Sequence, residues 1–412
     1  MNLNNSVAGK IWRAVSTYGF RAGLQGLAAT WLQGRMNNRV NVSEEYVWIL
    51  HQDRPAELDP PLGGPLRINW VIPGFGPGGG GLFHFFRVIQ NLERWGHRQK
   101  VYVVCGAEAT PGQLNELARR SYPSIKTELE VFRGEVADSD ALVATSWPTA
   151  YVVRGLGNTA RKFYFVQDLE QLFYAPGSRH EFAKRTYEWG FYGICAGQWL
   201  ADTLSGEFGM ECSAIGFSYD REIYLPGGPR LFSDGKKRVL FYARPATERR
   251  GYELGVLALQ LVARRAPHVE FVLVGFPAQG VQVPFPAVLP GVLPASELPL
   301  WYRSCSVALV LSHTNLSYAP LELMACGCAV VSNSGKNVEW LLTDAIAKLA
   351  SPTPEALAGA IVELLEDEEL CAKKAAAGRA FAERTNSMSE IRNIEEAFYQ
   401  GLGIPHAAGK RV

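Results

Sequence analysis

Surplus charge is the first thing this 412-residue sequence lacks, since 41 Lys and Arg stand against 40 Asp and Glu for a formal net charge of +1. No whole-molecule field would draw nucleic acid or an anionic bilayer to such a chain, which excludes a general polyanion binder. Cysteine is scarce: seven residues, at 105, 195, 212, 305, 326, 328 and 371, with no CxxC pair and no histidine at metal-ligand spacing. That argues against a disulfide framework and a zinc module and fits reduced thiols in a cytoplasm. No apolar run reaches the roughly 18 residues that span a bilayer, and the N-terminus has no compact apolar core followed by a cleavage site. A cytoplasmic protein, neither secreted nor membrane-spanning, is expected. What is present, 47% hydrophobic and 20% charged residues, is the composition of a folded chain. At roughly 150 residues per domain its length implies two or three domains.

Residues 1–43 contain five basic and no acidic residues. Val7, Ile11, Val15 and Tyr18, then Leu24, Leu27 and Trp31, recur at helical spacing, which predicts two short amphipathic helices. Such an arm docks on its own domain or makes a peripheral contact at the inner face of a membrane. A polar, proline-rich stretch over 52–65 precedes Arg67–Pro73, which reads as a buried strand. Apolar runs at Val101–Cys105, Ala141–Ala144 and Phe163–Val166 then alternate with helical segments such as Leu82–Trp95, the pattern of parallel strands joined by crossover helices. Turn formers over 222–237 suggest a linker. A second alternating series follows, with strands at Val239–Tyr242, Val269–Val274, Val307–Leu311 and Ala329–Val331 and helices at Glu253–Arg264, Pro320–Ala325 and Pro354–Glu366. Met388, Ile391, Ile394 and Phe398 mark one more amphipathic helix. The expected organisation is an arm over 1–60 and two α/β domains over 61–222 and 223–385.

The segment Pro73-Gly74-Phe75-Gly76-Pro77-Gly78-Gly79-Gly80-Gly81 joins the first strand to a helix. Its backbone can approach a ligand closely, so Gly78, Gly79 and Gly80 are candidate contacts for a phosphate or an acceptor. The same glycines satisfy GxGxxG, which keeps a dinucleotide-dependent oxidoreductase in view. A P-loop is excluded, because Leu82-Phe83 stand where Lys and Ser or Thr would be. Further on, Tyr242-Ala243-Arg244-Pro245-Ala246-Thr247-Glu248-Arg249-Arg250-Gly251 places arginines at a strand's C-terminal end, where open α/β sheets bind ligands and guanidinium groups can clamp a diphosphate. Ser312-His313-Thr314-Asn315-Leu316-Ser317-Tyr318-Ala319-Pro320-Leu321-Glu322 is a polar loop that leads into a helix carrying Glu322.

These two segments together resemble the nucleotide-sugar domain of GT-B glycosyltransferases of family 4. The resemblance implies two Rossmann-like α/β domains facing a cleft, with the final segment, 386–412, returning to complete the first. By the same resemblance Arg244 and Arg249 hold the donor diphosphate, Glu322 contacts the ribose and Tyr318 lies in the donor site. The family's E-x7-E pattern would place a glutamate where this chain has Thr314, so His313, Asn315 or Tyr318 is expected to substitute. Phe163-Tyr164-Phe165-Val166-Gln167-Asp168-Leu169-Glu170 with Phe173-Tyr174-Ala175-Pro176-Gly177-Ser178 is similar to the rhamnosyltransferase subgroup typified by WsaF. That narrower likeness implies a hexosyltransferase using dTDP-rhamnose, retention of configuration, and a glycan or lipid-linked glycan acceptor.

Asp168 and Glu170 follow a strand, where carboxylates can orient or deprotonate an acceptor hydroxyl, with Gln167 beside them. Asp168 and His313 are the catalytic candidates, and His84, beside the Gly-rich loop, is the other histidine placed for chemistry. Asp138-Ser139-Asp140 spells a DxD, yet it sits in a polar turn before a strand and reads as structural. With arginines to meet the donor charge, neither a metal nor another cofactor is expected. A third reading, beside the transferase and the oxidoreductase, is a non-catalytic sugar-binding partner in a glycan assembly complex.

Overall fold

The computed structural model describes residues 46–50, 52–75, 80–105, 110–121, 125–232 and 234–406, with only the backbone given for 80–83 and 121. The expected helices of residues 1–43, and Gly78 and Gly79, lie outside the described residues. Residues 1–52 form one compact unit and 53–412 another. Of the first, the described part is a short 3-10 turn, Val47–Leu50. All that follows concerns the second.

Two wholly parallel sheets organise this unit. The first contains β1 (Arg67–Pro73), β2 (Arg98–Val104), β3 (Leu129–Val131), β4 (Ser139–Ala144), β5 (Thr159–Val166), β6 (Tyr192–Ala196) and β7 (Cys212–Ile215) in the order 3-2-1-4-5-6-7. The second contains β8 (Arg238–Tyr242), β9 (Glu270–Val274), β10 (Ala287–Gly291), β11 (Val307–Val310), β12 (Ala329–Asn333) and β13 (Lys348–Ala350) in the order 10-9-8-11-12-13. Central strands are buried along nearly their whole length, as in β4 and β6, because helices cover both faces of each sheet. That is why they read in the sequence as continuous apolar runs and not as alternation.

Helices α1 (Gly80–Arg94), α2 (Pro111–Ser121), α3 (Trp147–Arg154), α4 (Ser178–Arg185) and α5 (Gln198–Phe208) accompany the first sheet. Around the second lie α6 (Tyr252–Arg265), α7 (Leu298–Tyr302), α8 (Ala319–Ala325), α9 (Lys336–Glu339), α10 (Pro354–Glu366) and α11 (Glu368–Arg384). The last helix, α12 (Ser387–Leu402), is capped by Asn386, whose side chain accepts from the Met388 and Ser389 N–H groups. It packs on the first sheet, not the second: Ile391, Ile394, Phe398 and Leu402 share a core with α1 and β1. The Phe398 ring meets Trp70 at 5.7 Å and Phe163 at 5.1 Å, both edge to face. Met388 does not belong to that apolar face as its spacing suggests; it is 40% exposed, because it lies in the first turn before the helix reaches the sheet.

In each sheet the strand order reverses beside the first strand of its series, so that β1 lies between β2 and β4, and β8 between β9 and β11. Loops leaving the carboxyl ends on either side of such a point diverge and open a crevice. Strand exits of the two sheets meet. Asn315, at the exit of β11, donates through Nδ2 to the Gln167 and Ala196 carbonyls at the exits of β5 and β6, at 3.0 and 2.6 Å.

Candidate active site

At the exit of β8 the backbone comes close to that of β9. Gly275 has φ +101°, and a Cβ there would lie 2.9 Å from the Ala243 carbonyl, so only glycine fits. Arg244 follows and donates from Nη1 to the Gly275 carbonyl at 3.5 Å. A 3-10 turn, Glu248–Arg250, closes on Gly251 in the left-handed region at φ +57°. This turn rests on the exit loop of β11, where the His313 N–H donates to the Arg249 carbonyl at 2.8 Å. His313 itself is exposed beside Gly251.

The two arginines of the turn share Asp168, at 3.2 Å from Arg249 and 3.7 Å from Arg250, but differ in their other partners. Arg249 lies 3.7 Å above the Phe173 ring and donates from Nε to Asp168 Oδ2 at 3.2 Å, so a ring and a carboxylate from the first α/β unit grip a cation of the second. Arg250 is turned inward, donating from Nη1 to Ser312 Oγ at 2.7 Å and to the Asn315 carbonyl at 2.9 Å. Burial lowers the Arg250 pKa to about 10, with Asp168 opposing the shift, so it stays cationic at neutral pH.

Asp168, expected as a catalytic group, is buried and multiply engaged. Besides Arg249 it accepts from the Thr314 hydroxyl at 2.9 Å, the Asn315 N–H at 2.8 Å and its neighbour's N–H, that of Leu169, at 2.9 Å. Gln167 contributes its carbonyl to Asn315. Glu170 turns toward α3 beside the first sheet, where it accepts from the Trp147 N–H at 2.7 Å. Burial raises its pKa to about 8 against the pull of that N–H, so it is mostly protonated at neutral pH. Gly80 opens α1 at the edge of the loop whose Gly76, Gly78 and Gly79 lie outside the described residues. Asp140 of the DxD accepts from the Arg67 main-chain N–H and guanidinium at 2.7 and 2.6 Å, a structural pairing, whereas Asp138 is exposed.

Tyr318 is the residue before α8, and its carbonyl accepts from the Glu322 N–H at 3.2 Å. Its ring stacks on Phe217 with centroids 4.5 Å apart and tilts against His84 at 4.9 Å. Glu322 is half-buried beside Tyr224, and burial pushes its pKa to about 7 while Tyr224 and Arg87 pull it down. Arg244 lies 6.0 Å from the Tyr242 ring centroid at the exit of β8, and burial raises the Tyr242 pKa, with Glu322 pushing the same way and Arg244 and Arg250 opposing it. Sequence reasoning missed Arg250 as a separate player and missed Glu390, a buried carboxylate of α12 that accepts from Arg87 and Tyr318. For Arg250 the adjacent Gly251 was a usable signal. For Glu390 there was none, because a lone acid on an apolar helix face looks like an interruption.

Two parallel-sheet α/β units with facing strand exits and a cationic cluster on the second define the class, and the fold is GT-B. HepE of Anabaena, solved in complex with UDP-glucose, has a TM-score of 0.64 at 16% identity over 81% of this chain and 100% of that one. Sucrose-phosphate synthase of Thermosynechococcus elongatus gives 0.63 at 13% identity over 81% and 99%. Within the class, residues 237–362 match the family described as WsaF, C-terminal domain, in keeping with the resemblance of the arginine and Glu322 motifs. The O-antigen biosynthesis protein RfbC of Myxococcus xanthus is 34% identical over 334 residues, 78% of this chain, and the chain spans 26% of that protein's length.

Proposed function

We propose that the chain is a nucleotide-sugar-dependent glycosyltransferase of O-antigen or related polysaccharide assembly. In its specific form the reading is transfer of rhamnose from dTDP-rhamnose to a glycan or lipid-linked glycan acceptor, with retention and without a metal. The observation that carries it is the placing of Arg244 and the Glu248–Arg250 turn after β8, and of Glu322 in the first turn of α8, within the segment that matches the WsaF C-terminal family. The RfbC likeness supports the pathway class.

In this reading the anomeric carbon's bond to the diphosphate oxygen breaks as the acceptor oxygen bonds to that carbon, and the acceptor proton passes to the leaving phosphate. Arg244 and Arg249 meet the charge that develops on the diphosphate, which removes the need for a cation there. Glu322 takes the ribose hydroxyl. Asp168 is assigned a positioning part, holding Arg249 and the Thr314–Asn315 loop in place. The acceptor enters from the side of the first sheet, past the Gly-rich loop and Gln167. The arm over 1–43 supplies any peripheral contact with the membrane that holds a lipid-linked acceptor.

Calorimetric titration with dTDP-rhamnose in EDTA tests this. Binding is expected, and Arg244→Ala or Arg249→Ala should each weaken it by about 1.5 to 3 kcal/mol, the range for hydrogen bonds to charged groups. Unchanged affinity in both variants would remove the diphosphate assignment. A strict Mn²⁺ or Mg²⁺ requirement would overturn metal independence. Tight donor binding with no transfer to any acceptor would favour the sugar-binding-partner reading, which the commitment of Thr314 to Asp168 keeps open.

A further inference from the structure

Glu390 sits in the first turn of α12, 2% exposed, and gathers polar groups from three separate stretches of chain. From α1, Arg87 donates through Nη2 to Oε2 at 2.9 Å and His84 Nε2 lies 3.4 Å from Oε1. From the segment after β7, the Ser218 hydroxyl donates to Oε2. From the start of α8, the Tyr318 hydroxyl donates to Oε1 at 3.0 Å. Arg87 Nη2 is also 3.1 Å from His84 Nδ1. Burial and the neighbouring Arg87 cation hold the imidazole neutral, with its pKa well below the ordinary value. The remaining ring N–H is therefore left to Nε2, on the Glu390 side.

A buried carboxylate with this many donors is stable only while all of them are in place, because each loss leaves charge desolvated and unpaired. The segments it ties together are those that frame the candidate cleft. Helix α1 follows the Gly-rich loop, Ser218 lies on the crossover from the first sheet to the second, and Tyr318 begins the helix that carries Glu322. The link to Glu322 is short, since the Tyr318 carbonyl accepts from both the Leu321 and Glu322 N–H groups at 3.0 and 3.2 Å. The groups facing Glu390 on every side are thus Arg87 and His84 from α1, Ser218, and Tyr318, with Glu322 one helical turn beyond.

We infer that Glu390 is a positioning residue for the donor site: by pinning Tyr318 and Arg87 at one point, it fixes α8, and with it Glu322, against the first α/β unit. This rests on the reading of Glu322 as a donor contact. It makes the last helix a working part of the site formed by the second sheet, although α12 packs on the first. Burial raises the Glu390 pKa to about 7 against the pull of Arg87, consistent with a charge kept out of water for a purpose other than solubility.

The test uses the full chain with dTDP-rhamnose as probe, comparing wild type with Glu390→Gln, Ser218→Ala and the double variant. Gln keeps the shape and an acceptor but removes the charge. Ser218→Ala removes one hydrogen-bond donor to Glu390 at a residue that is assigned no contact with the sugar donor. The expected result is a donor KM raised about tenfold by Glu390→Gln and about threefold by Ser218→Ala, with kcat at saturating donor little changed and the double variant no worse than Glu390→Gln alone. A purely structural role would instead lower kcat through loss of active protein and leave KM unmoved, and that outcome overturns the inference. If Glu390→Gln does not fold, Ser218→Ala decides alone, a raised donor KM supporting the inference and an unchanged one overturning it. Absence of donor binding by the wild-type protein overturns the functional reading and this inference together, whereas wild-type binding that both variants match overturns this inference only.

Discussion

Glu170 shows how strongly position overrides residue type. Its carboxyl is an ordinary acid by sequence, two residues beyond Asp168, yet one is turned into an apolar layer and the other into a set of cationic and N–H donors. With the folded pKa raised to about 8 from the ordinary 4.5, its contribution to stability is fully present below about pH 4.5 and is lost as pH rises through about 8. Glu322 and Glu390, both raised to about 7, push in the same direction. The melting temperature should therefore fall between pH 6 and pH 9, and Glu170→Gln, which keeps an acceptor for the Trp147 N–H, should flatten part of that fall. Parallel melting curves for wild type and variant across that range would show that Glu170 is not the buried acid described. At this scale the sequence was informative only where a residue's partners are sequence neighbours or belong to a recurrent motif. Arg244 and Glu322 could be picked out on those grounds. The roles of Glu170 and Glu390 depend on what 23 and 303 residues of separation bring to them, and no local pattern encodes that.

The helices and strands were far more legible than the site, because a parallel strand must be apolar on both faces and a covering helix on one. The expected strand at Arg67–Pro73 and the expected helix at Pro354–Glu366 coincide with β1 and α10. What periodicity could not supply was how closely elements approach, which glycines record. Gly401 in α12 is such a point: a Cβ there would stand 2.4 Å from Phe163 Cε1 and 2.9 Å from Tyr192 Cγ. Phe163 is itself fully buried, against Phe398 and Tyr192, and has nowhere to move. Gly206 in α5 is helical too, but exposed, with nothing within 4 Å of its Cβ position. Replacing glycine by alanine inside a helix is worth about 1 kcal/mol in propensity, whereas overpacking a tight core costs about 1 to 3 kcal/mol. Propensity should win at 206 and the clash at 401, so Gly206→Ala should raise the melting temperature and Gly401→Ala should lower it. Equal gains for both would mean that α12 is not seated on β5 as closely as described.

Among the described residues of 53–406, the two sheets meet through a polar seam that runs beside an aromatic contact, where Tyr318 packs on Phe217 and His84. At its centre the Asp168 carboxylate accepts from Arg249, the Thr314 hydroxyl and the Asn315 N–H, all from the second α/β unit, while Asn315 bonds back to the Gln167 and Ala196 carbonyls of the first. An apolar interface loses stability gradually as atoms are trimmed, but a buried charge shared among several donors fails abruptly when its acceptor becomes neutral. Asp168→Asn makes that change at nearly constant volume. One amide oxygen can still receive the Asn315 N–H, but the amide nitrogen then stands where Oδ2 accepted from Arg249 Nε, donor facing donor, and the Thr314 hydroxyl must turn to accept. The cores on either side are largely separate clusters, Trp70 and Phe165 in one and Val272 and Leu321 in another, with Ala196 of β6 reaching into the second, so each sheet keeps most of its own packing without the polar seam. Scanning calorimetry of the wild-type chain should then show one cooperative transition, and Asp168→Asn should split it into two, with the lower one moved down by several degrees. A single transition at the wild-type temperature in Asp168→Asn would mean that the units are joined by something other than this carboxylate.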